Sequence, residues 1–133
     1  MNQNQQMLHL CVVAPFYNEQ DNINIFYETL KATLSNLDVT YNFIFVDDGS
    51  EDKTLLHLNE IADNDSDVTV ISLARNFGHQ VAITAGLDYA EGDAVVMMDS
   101  DLQHPPETIA EMLSKFEQGA DGAGVLGVYK MLL

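Results

Sequence analysis

Short apolar runs alternate with amphipathic stretches along this chain, regularly enough to predict its elements. Residues 8–14, Leu-His-Leu-Cys-Val-Val-Ala, are too short a run for a core helix and read as a buried strand. After Pro15-Phe16-Tyr17-Asn18 a helix is expected to begin near residues 19–22, because Ile23, Phe26, Tyr27, Leu30, Leu34 and Leu37 recur at helical spacing. Residues 41–46 repeat the strand pattern and are stopped by Asp47-Asp48-Gly49-Ser50. Ser50 suits the N-cap of a second helix, with Glu51 and Asp52 in its first turn and Leu55, Leu58, Ile61 and Ala62 as its inner stripe. A third strand is expected over 68–73 and a fourth over 94–98. Between them a helix over 80–90 carries the small residues Ala82, Ala85 and Gly86, which permit close packing on a sheet. A last helix would bury Ile109, Met112, Leu113 and Phe116.

Alternating strands and helices predict an α/β, Rossmann-like fold: a mostly parallel sheet with helices on both faces and right-handed crossovers. Ligands of such sheets bind beyond the carboxyl ends of the strands. Those ends carry Pro15, Tyr17 and Glu19, then Asp47 and Asp48, then Arg75 and Asn76, then Asp99 and Asp101. The residues with the most chemistry to offer thus gather on one edge.

Charge sharpens the picture. Five Lys and Arg stand against 21 Asp and Glu, a formal net charge of −16, so nucleic acid is not an expected partner. An acidic protein that handles phosphates needs cationic help, most simply a divalent metal. Asp99-Ser100-Asp101 follow the apolar run directly, and two carboxylates one residue apart at a strand tip can grip a hard cation and, through it, a diphosphate. The alternative is that they solvate a loop and cap the next helix, which Pro105-Pro106 open. At 133 residues the chain fits one domain or part of a larger one, and 47% apolar residues suffice for a core. Cys11 is the only cysteine and reads as a buried core residue. His9 and His57 read as structural, while His79 and His104 lie near strand ends at a spacing that fits no zinc motif. Asp63, Asp65 and Asp67 read as solvated charge. With no signal-peptide pattern and no apolar run near the roughly 20 residues that span a bilayer, a cytoplasmic location is expected. Attachment to the inner face of the membrane would then come from a segment outside this chain.

Four segments together resemble the nucleotide-sugar half of a family 2 glycosyltransferase with the GT-A fold. They are Val13-Ala14-Pro15-Phe16-Tyr17-Asn18-Glu19, Val46-Asp47-Asp48-Gly49-Ser50, Ala74-Arg75-Asn76-Phe77-Gly78-His79-Gln80, and the stretch from Met98-Asp99-Ser100-Asp101 through Leu102-Gln103-His104-Pro105-Pro106-Glu107. The last two are similar, more narrowly, to the polyprenyl-phosphate branch: dolichyl-phosphate mannose synthases and undecaprenyl-phosphate glucosyltransferases. The resemblance implies that Pro15, Tyr17 and Glu19 line a base and ribose pocket. It implies that Asp47 accepts a ring N–H of the base, while Asp48 lies near the ribose or supports the loop. Arg75 would approach the nucleotide or close the pocket over it. Asp99 would contact the ribose or a metal-bound water, Asp101 would ligate Mg²⁺ or Mn²⁺, and Gln103 would lie near the donor sugar or the acceptor phosphate. Asp99, Asp101 and Gln103 are then the catalytic candidates, with Asp99 and Asp101 as the metal pair. The implied partners are a UDP- or GDP-sugar donor and a polyprenyl phosphate or saccharide acceptor, in a metal-dependent, inverting transfer.

The resemblance covers roughly residues 8–118, and the nucleotide-sugar-binding region is expected over 1–118. The Gly-rich apolar tail 119–133 departs from the family pattern and reads as a truncation or an altered reading frame. A chain so shortened is expected to bind donor without its acceptor half, and to self-associate as a homo-oligomer through an exposed sheet edge. Two alternatives of another class stand beside the enzyme: a non-catalytic nucleotide- or metal-binding module, and a remnant completed by a partner. A receiver-like module would need a Lys at a later strand end, which is missing. A dinucleotide oxidoreductase is disfavoured because no Gly-x-Gly-x-x-Gly follows the first strand.

Overall fold

The computed structural model describes residues 7–100, 109, 111 and the backbone of 128–130. Its elements run β1 (Leu8–Phe16), α1 (Ile23–Ser35), β2 (Val39–Asp47), α2 (Thr54–Asn64), β3 (Val68–Ser72), α3 (His79–Tyr89), β4 (Ala94–Met97) and β5 (Val128–Lys130). The strands form one sheet in the order β3-β2-β1-β4-β5. Four are parallel, and β5 runs antiparallel to β4 with Val95 opposite Tyr129. The fold is therefore the α/β, Rossmann-like arrangement that the alternation predicts. Strand β5 is the addition: three residues in the Gly-rich tail carry no readable period, and it is backbone pairing along β4 that makes them a strand. Ile109 and Glu111 are helical and Ile109 is buried, while Met112, Leu113 and Phe116 lie outside the described residues.

Helices cover both faces because the strands are apolar on both sides. On one face Phe26, Leu30 and Leu34 of α1 and Leu58 of α2 meet Leu10, Val12, Phe43 and Phe45. Aromatic rings fix this layer: Phe43 stacks on Phe45 at 5.7 Å, and Phe16 meets Phe45 and Phe26 edge-on at 5.1 and 5.8 Å. Such pairs add about 0.5–1.5 kcal/mol each to the area they bury. On the other face Ala82 of α3 packs with Cys11, Val13, Ile44 and Val46. A Cβ at Gly86 would lie 2.4 Å from Val13 Cγ1 and 3.1 Å from Val46 Cγ2, so α3 sits closer to the sheet than any larger residue there allows.

Two local expectations are corrected. Helix α2 begins at Thr54 and not after Ser50, because the Ser50 hydroxyl is taken: it accepts the Asn18 N–H at 2.9 Å. Glu51 and Asp52 consequently precede the helix and its first turn holds no acid, although Asp52 Oδ1 accepts the Thr54 N–H at 2.9 Å. Asp65, in turn, is not solvated charge. It is 9% exposed, and its carboxylate accepts from Lys31 Nζ at 2.7 Å, from the Tyr27 hydroxyl and from the Asp67 N–H at 3.0 Å. This latch ties α1 to the turn between α2 and β3.

Burial alone would raise the Asp65 carboxyl, but the hydrogen bonds from Lys31, Tyr27 and Asp67 outweigh it and hold the group below the usual carboxylate value. The Asp65 and Tyr27 oxygens raise the Lys31 ammonium. A depressed carboxylate stabilises the fold above its unfolded pKa, about 3.9, and stops doing so as pH falls through its folded pKa. A raised ammonium stabilises below about 10.4 and stops as pH rises through its folded pKa. The latch therefore acts fully between roughly pH 4 and pH 10. Asp65→Asn is expected to lower stability by about 2 kcal/mol at pH 7 in urea unfolding, as a buried hydrogen-bonded charge is lost. The difference from wild type should begin to shrink as pH falls below about 4 and be smallest below the depressed folded pKa of Asp65, where both chains carry a neutral group.

Candidate functional site

The strand order reverses beside β1: the chain moves from β1 out to β2 and β3, then crosses to place β4 on the opposite side. At such a reversal the loops leaving neighbouring strands part in opposite directions and leave a crevice. Here the crevice is a cleft of about 390 Å³, lined by Pro15, Phe16, Tyr17, Glu19, Asp48, Asn76, Gly78, His79, Asp99 and Ser100. That volume lies within the range of small-ligand sites.

Each wall is held by a specific device. The Tyr17–Glu19 wall is clasped to the β2–α2 loop by reciprocal bonds. Ser50 Oγ accepts the Asn18 N–H while Asn18 Oδ1 accepts the Glu51 N–H, both at 2.9 Å. Thr54 Oγ1 accepts the Glu19 N–H, and Gln20 Oε1 accepts the Lys53 N–H, again at 2.9 Å. Asn18 takes φ of 52°, a left-handed conformation that asparagine tolerates better than most residues.

The opposite wall hangs on Asp48. Its carboxylate is 3% exposed and accepts the Phe77 N–H at 2.8 Å, the Gly78 N–H at 3.0 Å and Asn76 Nδ2 at 3.0 Å. Beside it Gly49, at φ +68°, presses on the same loop: a Cβ there would lie 2.2 Å from the Arg75 carbonyl carbon. The floor under Asp99 is pinned on both flanks, by the Met98 N–H on the Val13 carbonyl at 3.0 Å and by the Ser100 hydroxyl on the Pro15 carbonyl at 2.8 Å.

Of the residues singled out from sequence, Pro15, Tyr17, Glu19, Asp48 and Asp99 meet in the cleft. Asp47 ends β2 in register with Phe16 but is 2% exposed, accepts the Ser50 N–H at 3.4 Å and does not line the cleft. Arg75 also stays off the lining, its guanidinium 4.5 Å from the Phe77 ring centroid. Asp101, Gln103 and His104 lie outside the described residues. Sequence reasoning passed over Ser100, Asn76, Gly78 and His79 as site residues. The signal for Ser100 was its place between two aspartates; that for His79 was its place at the start of a helix facing them. His79 Nε2 stands 3.2 Å from Asp99 Oδ1. His9 is structural as expected, its ring set between Thr40 Oγ1 at 2.7 Å and Asn42 Oδ1 at 2.9 Å.

Among the described residues, no group of three or more His, Cys, Asp or Glu is placed to hold a metal ion, and no helix is long and apolar enough to cross a membrane. Residues 11–130 match the model of glycosyl transferase family 2. The chain belongs to that glycosyltransferase family. An uncharacterised glycosyltransferase of Synechocystis is 43% identical over 114 residues, which are 86% of this chain and 36% of the relative. The bactoprenol glucosyl transferase of Shigella phage SfV is 39% identical over 114 residues, 86% of this chain and 37% of the relative. The chain thus spans about a third of the length of the curated relatives it matches. Among solved structures, the mannosyltransferase PcManGT of Pyrobaculum calidifontis, in complex with GDP-Man and Mn²⁺, has a TM-score of 0.72 at 22% identity. The match covers 90% of this chain and 34% of that one, and at this identity it bears on the fold alone. Staphylococcus aureus TarS in complex with UDP has a TM-score of 0.63 at 25% identity over 84% of this chain and 32% of that one. The sheet and its helices have the arrangement of the GT-A fold.

Because Asp48 alone satisfies three donors of the family 2 cleft wall, Asp48→Ala is expected to lower stability by about 2–3 kcal/mol and to free the 76–78 loop. Amide hydrogen exchange checks this: protection at Phe77 and Gly78 should fall more than tenfold while β1 amides lose only what the global destabilisation requires.

Proposed function

We propose that the cleft binds a nucleoside diphosphate sugar and that the whole protein transfers its hexosyl group to a polyprenyl phosphate. The observation that carries this reading is the imbalance of the cleft. Glu19, Asp48 and Asp99 line it, and among the described lining residues His79 is the one side chain able to carry positive charge. A diphosphate cannot sit among such groups without a hard cation, and the carboxylates of Asp99 and Asp101 are the donors such a cation takes. When bound by Asp99 and Asp101, Mg²⁺ or Mn²⁺ supplies charge neutralisation of the leaving diphosphate.

The chain's own residues do the rest. Pro15 and Tyr17 offer the base a flat apolar wall, and the clasp through Asn18 and Thr54 holds that wall before the ligand arrives. Glu19 faces the ribose. Gln103 lies near the sugar. Attack by an acceptor phosphate oxygen on the anomeric carbon breaks the bond to the diphosphate and inverts that carbon. An acceptor phosphate is already ionised and needs no strong protein base. The choice of a lipid phosphate is supported by the similarity to a bactoprenol glucosyl transferase, and a lipid acceptor favours a reaction at a membrane surface.

Calorimetry with UDP- and GDP-sugars tests donor binding. One of them should bind with Mn²⁺ or Mg²⁺ and bind at least tenfold more weakly in EDTA or in Asp101→Ala. Binding of equal strength without metal would defeat the metal part of the reading. Transfer is tested separately by incubation with a labelled nucleotide sugar and polyprenyl phosphate, where a metal-dependent glycolipid is the expected product.

A further inference from the structure

We propose that His79 is a positioning residue for Asp99: its ring N–H holds one carboxylate oxygen and leaves the other turned toward the donor. The inference rests on the donor-binding reading and goes beyond it to a residue that no family motif reading above gave a role.

Three observations converge. His79 Nε2 stands 3.2 Å from Asp99 Oδ1, with the two side chains 51% and 37% exposed on the same cleft. Both backbones are anchored, which keeps the two side chains within reach of one another. The turn that opens α3 is tied to Asp48 through the Phe77 and Gly78 N–H groups, and α3 itself is held tight on the sheet at Gly86. Asp99 is flanked by the Met98 bond to Val13 and the Ser100 bond to Pro15. Finally, among the described cleft-lining residues His79 is the nitrogen-bearing side chain left to meet Asp99, because the other one, the Asn76 amide, is spent on Asp48.

A carboxylate at a strand tip can turn about its last bond and present either oxygen in many directions. A donor on one oxygen removes that freedom. Carboxylates that serve hard cations or ribose hydroxyls work best when so oriented, and loss of the orienting group typically weakens binding about 10–100-fold.

The test is calorimetric titration of UDP and of GDP, each with Mn²⁺, into wild type, His79→Ala, His79→Gln, Asp99→Asn and the Asp99→Asn/His79→Ala double variant. His79→Ala should bind about tenfold more weakly. His79→Gln, whose amide nitrogen reaches the same place as ring Nε2, should stay within about threefold of wild type. The double variant should bind no worse than Asp99→Asn, since a residue acting through Asp99 has nothing to add once the carboxylate is gone. His79→Ala binding like wild type, His79→Gln failing as badly as His79→Ala, or additive losses in the double variant would each overturn the inference while the donor reading stands. Failure of the wild type to bind either nucleotide with Mn²⁺ overturns the donor reading and this inference with it.

Discussion

A strand flanked by parallel neighbours and buried on both faces has nowhere to set a polar side chain except beyond its ends, and β1 is such a strand. Its side chains from Leu10 to Phe16 are buried, those of one face under α1 and α2 and those of the other under α3. Polar chemistry begins only at Tyr17 and Glu19. Parallel pairing then forces the neighbours to end on the same edge: Asp47 opposite Phe16, and Met97 opposite Val13 with Asp99 two residues on. Had any one of these strands run the other way, its acidic residues would stand on the far side of the sheet. The reversal of order beside β1 opens the space between them.

Carboxylates of one sequence type end in three different physical conditions. Asp65 is matched to a cation and a phenol, and its interactions are used up in joining α1 to the turn before β3. Asp48 is buried and consumed by three N–H donors, which makes it a structural rivet even though it borders the cleft. Asp99 keeps more than a third of its side chain in solvent and, among the described residues, meets His79. In a chain of net charge −16, exposed acids are expected everywhere and say little. The informative acid is one held rigidly at a strand end with part of its oxygen surface still open.

Strands, helices, the two-faced sheet and the loaded edge were legible because apolar periodicity is a local property, readable within a dozen residues. Pro15, Tyr17, Glu19, Asp48 and Asp99 could be gathered from that pattern alone, given the rule for parallel sheets. What stayed hidden depends on partners far away in the chain. Nothing near Ser50 announces that Asn18 will take its hydroxyl, and nothing near Asp65 announces Lys31. Asp47 and Asp48 look alike in sequence, yet a one-residue step separates a carboxylate off the cleft lining from one that braces its wall. Strand β5 was hidden for a related reason, since its three residues are defined by β4 and not by themselves.

The bond from the Ser100 hydroxyl to the Pro15 carbonyl joins positions 85 residues apart. Contacts of such separation carry a large loop-closure cost and are rewarded late in folding. The β1–α1–β2 unit and then β3 can assemble from nearer neighbours, whereas β4 must return across the sheet to reach β1. The cleft therefore cannot exist until β4 has returned to β1. A ribosome must release β4 before any ligand has a place to bind, and a nascent chain lacking it exposes the apolar side of β1 as an unpaired edge, the kind of surface that chaperones hold and that other chains invade.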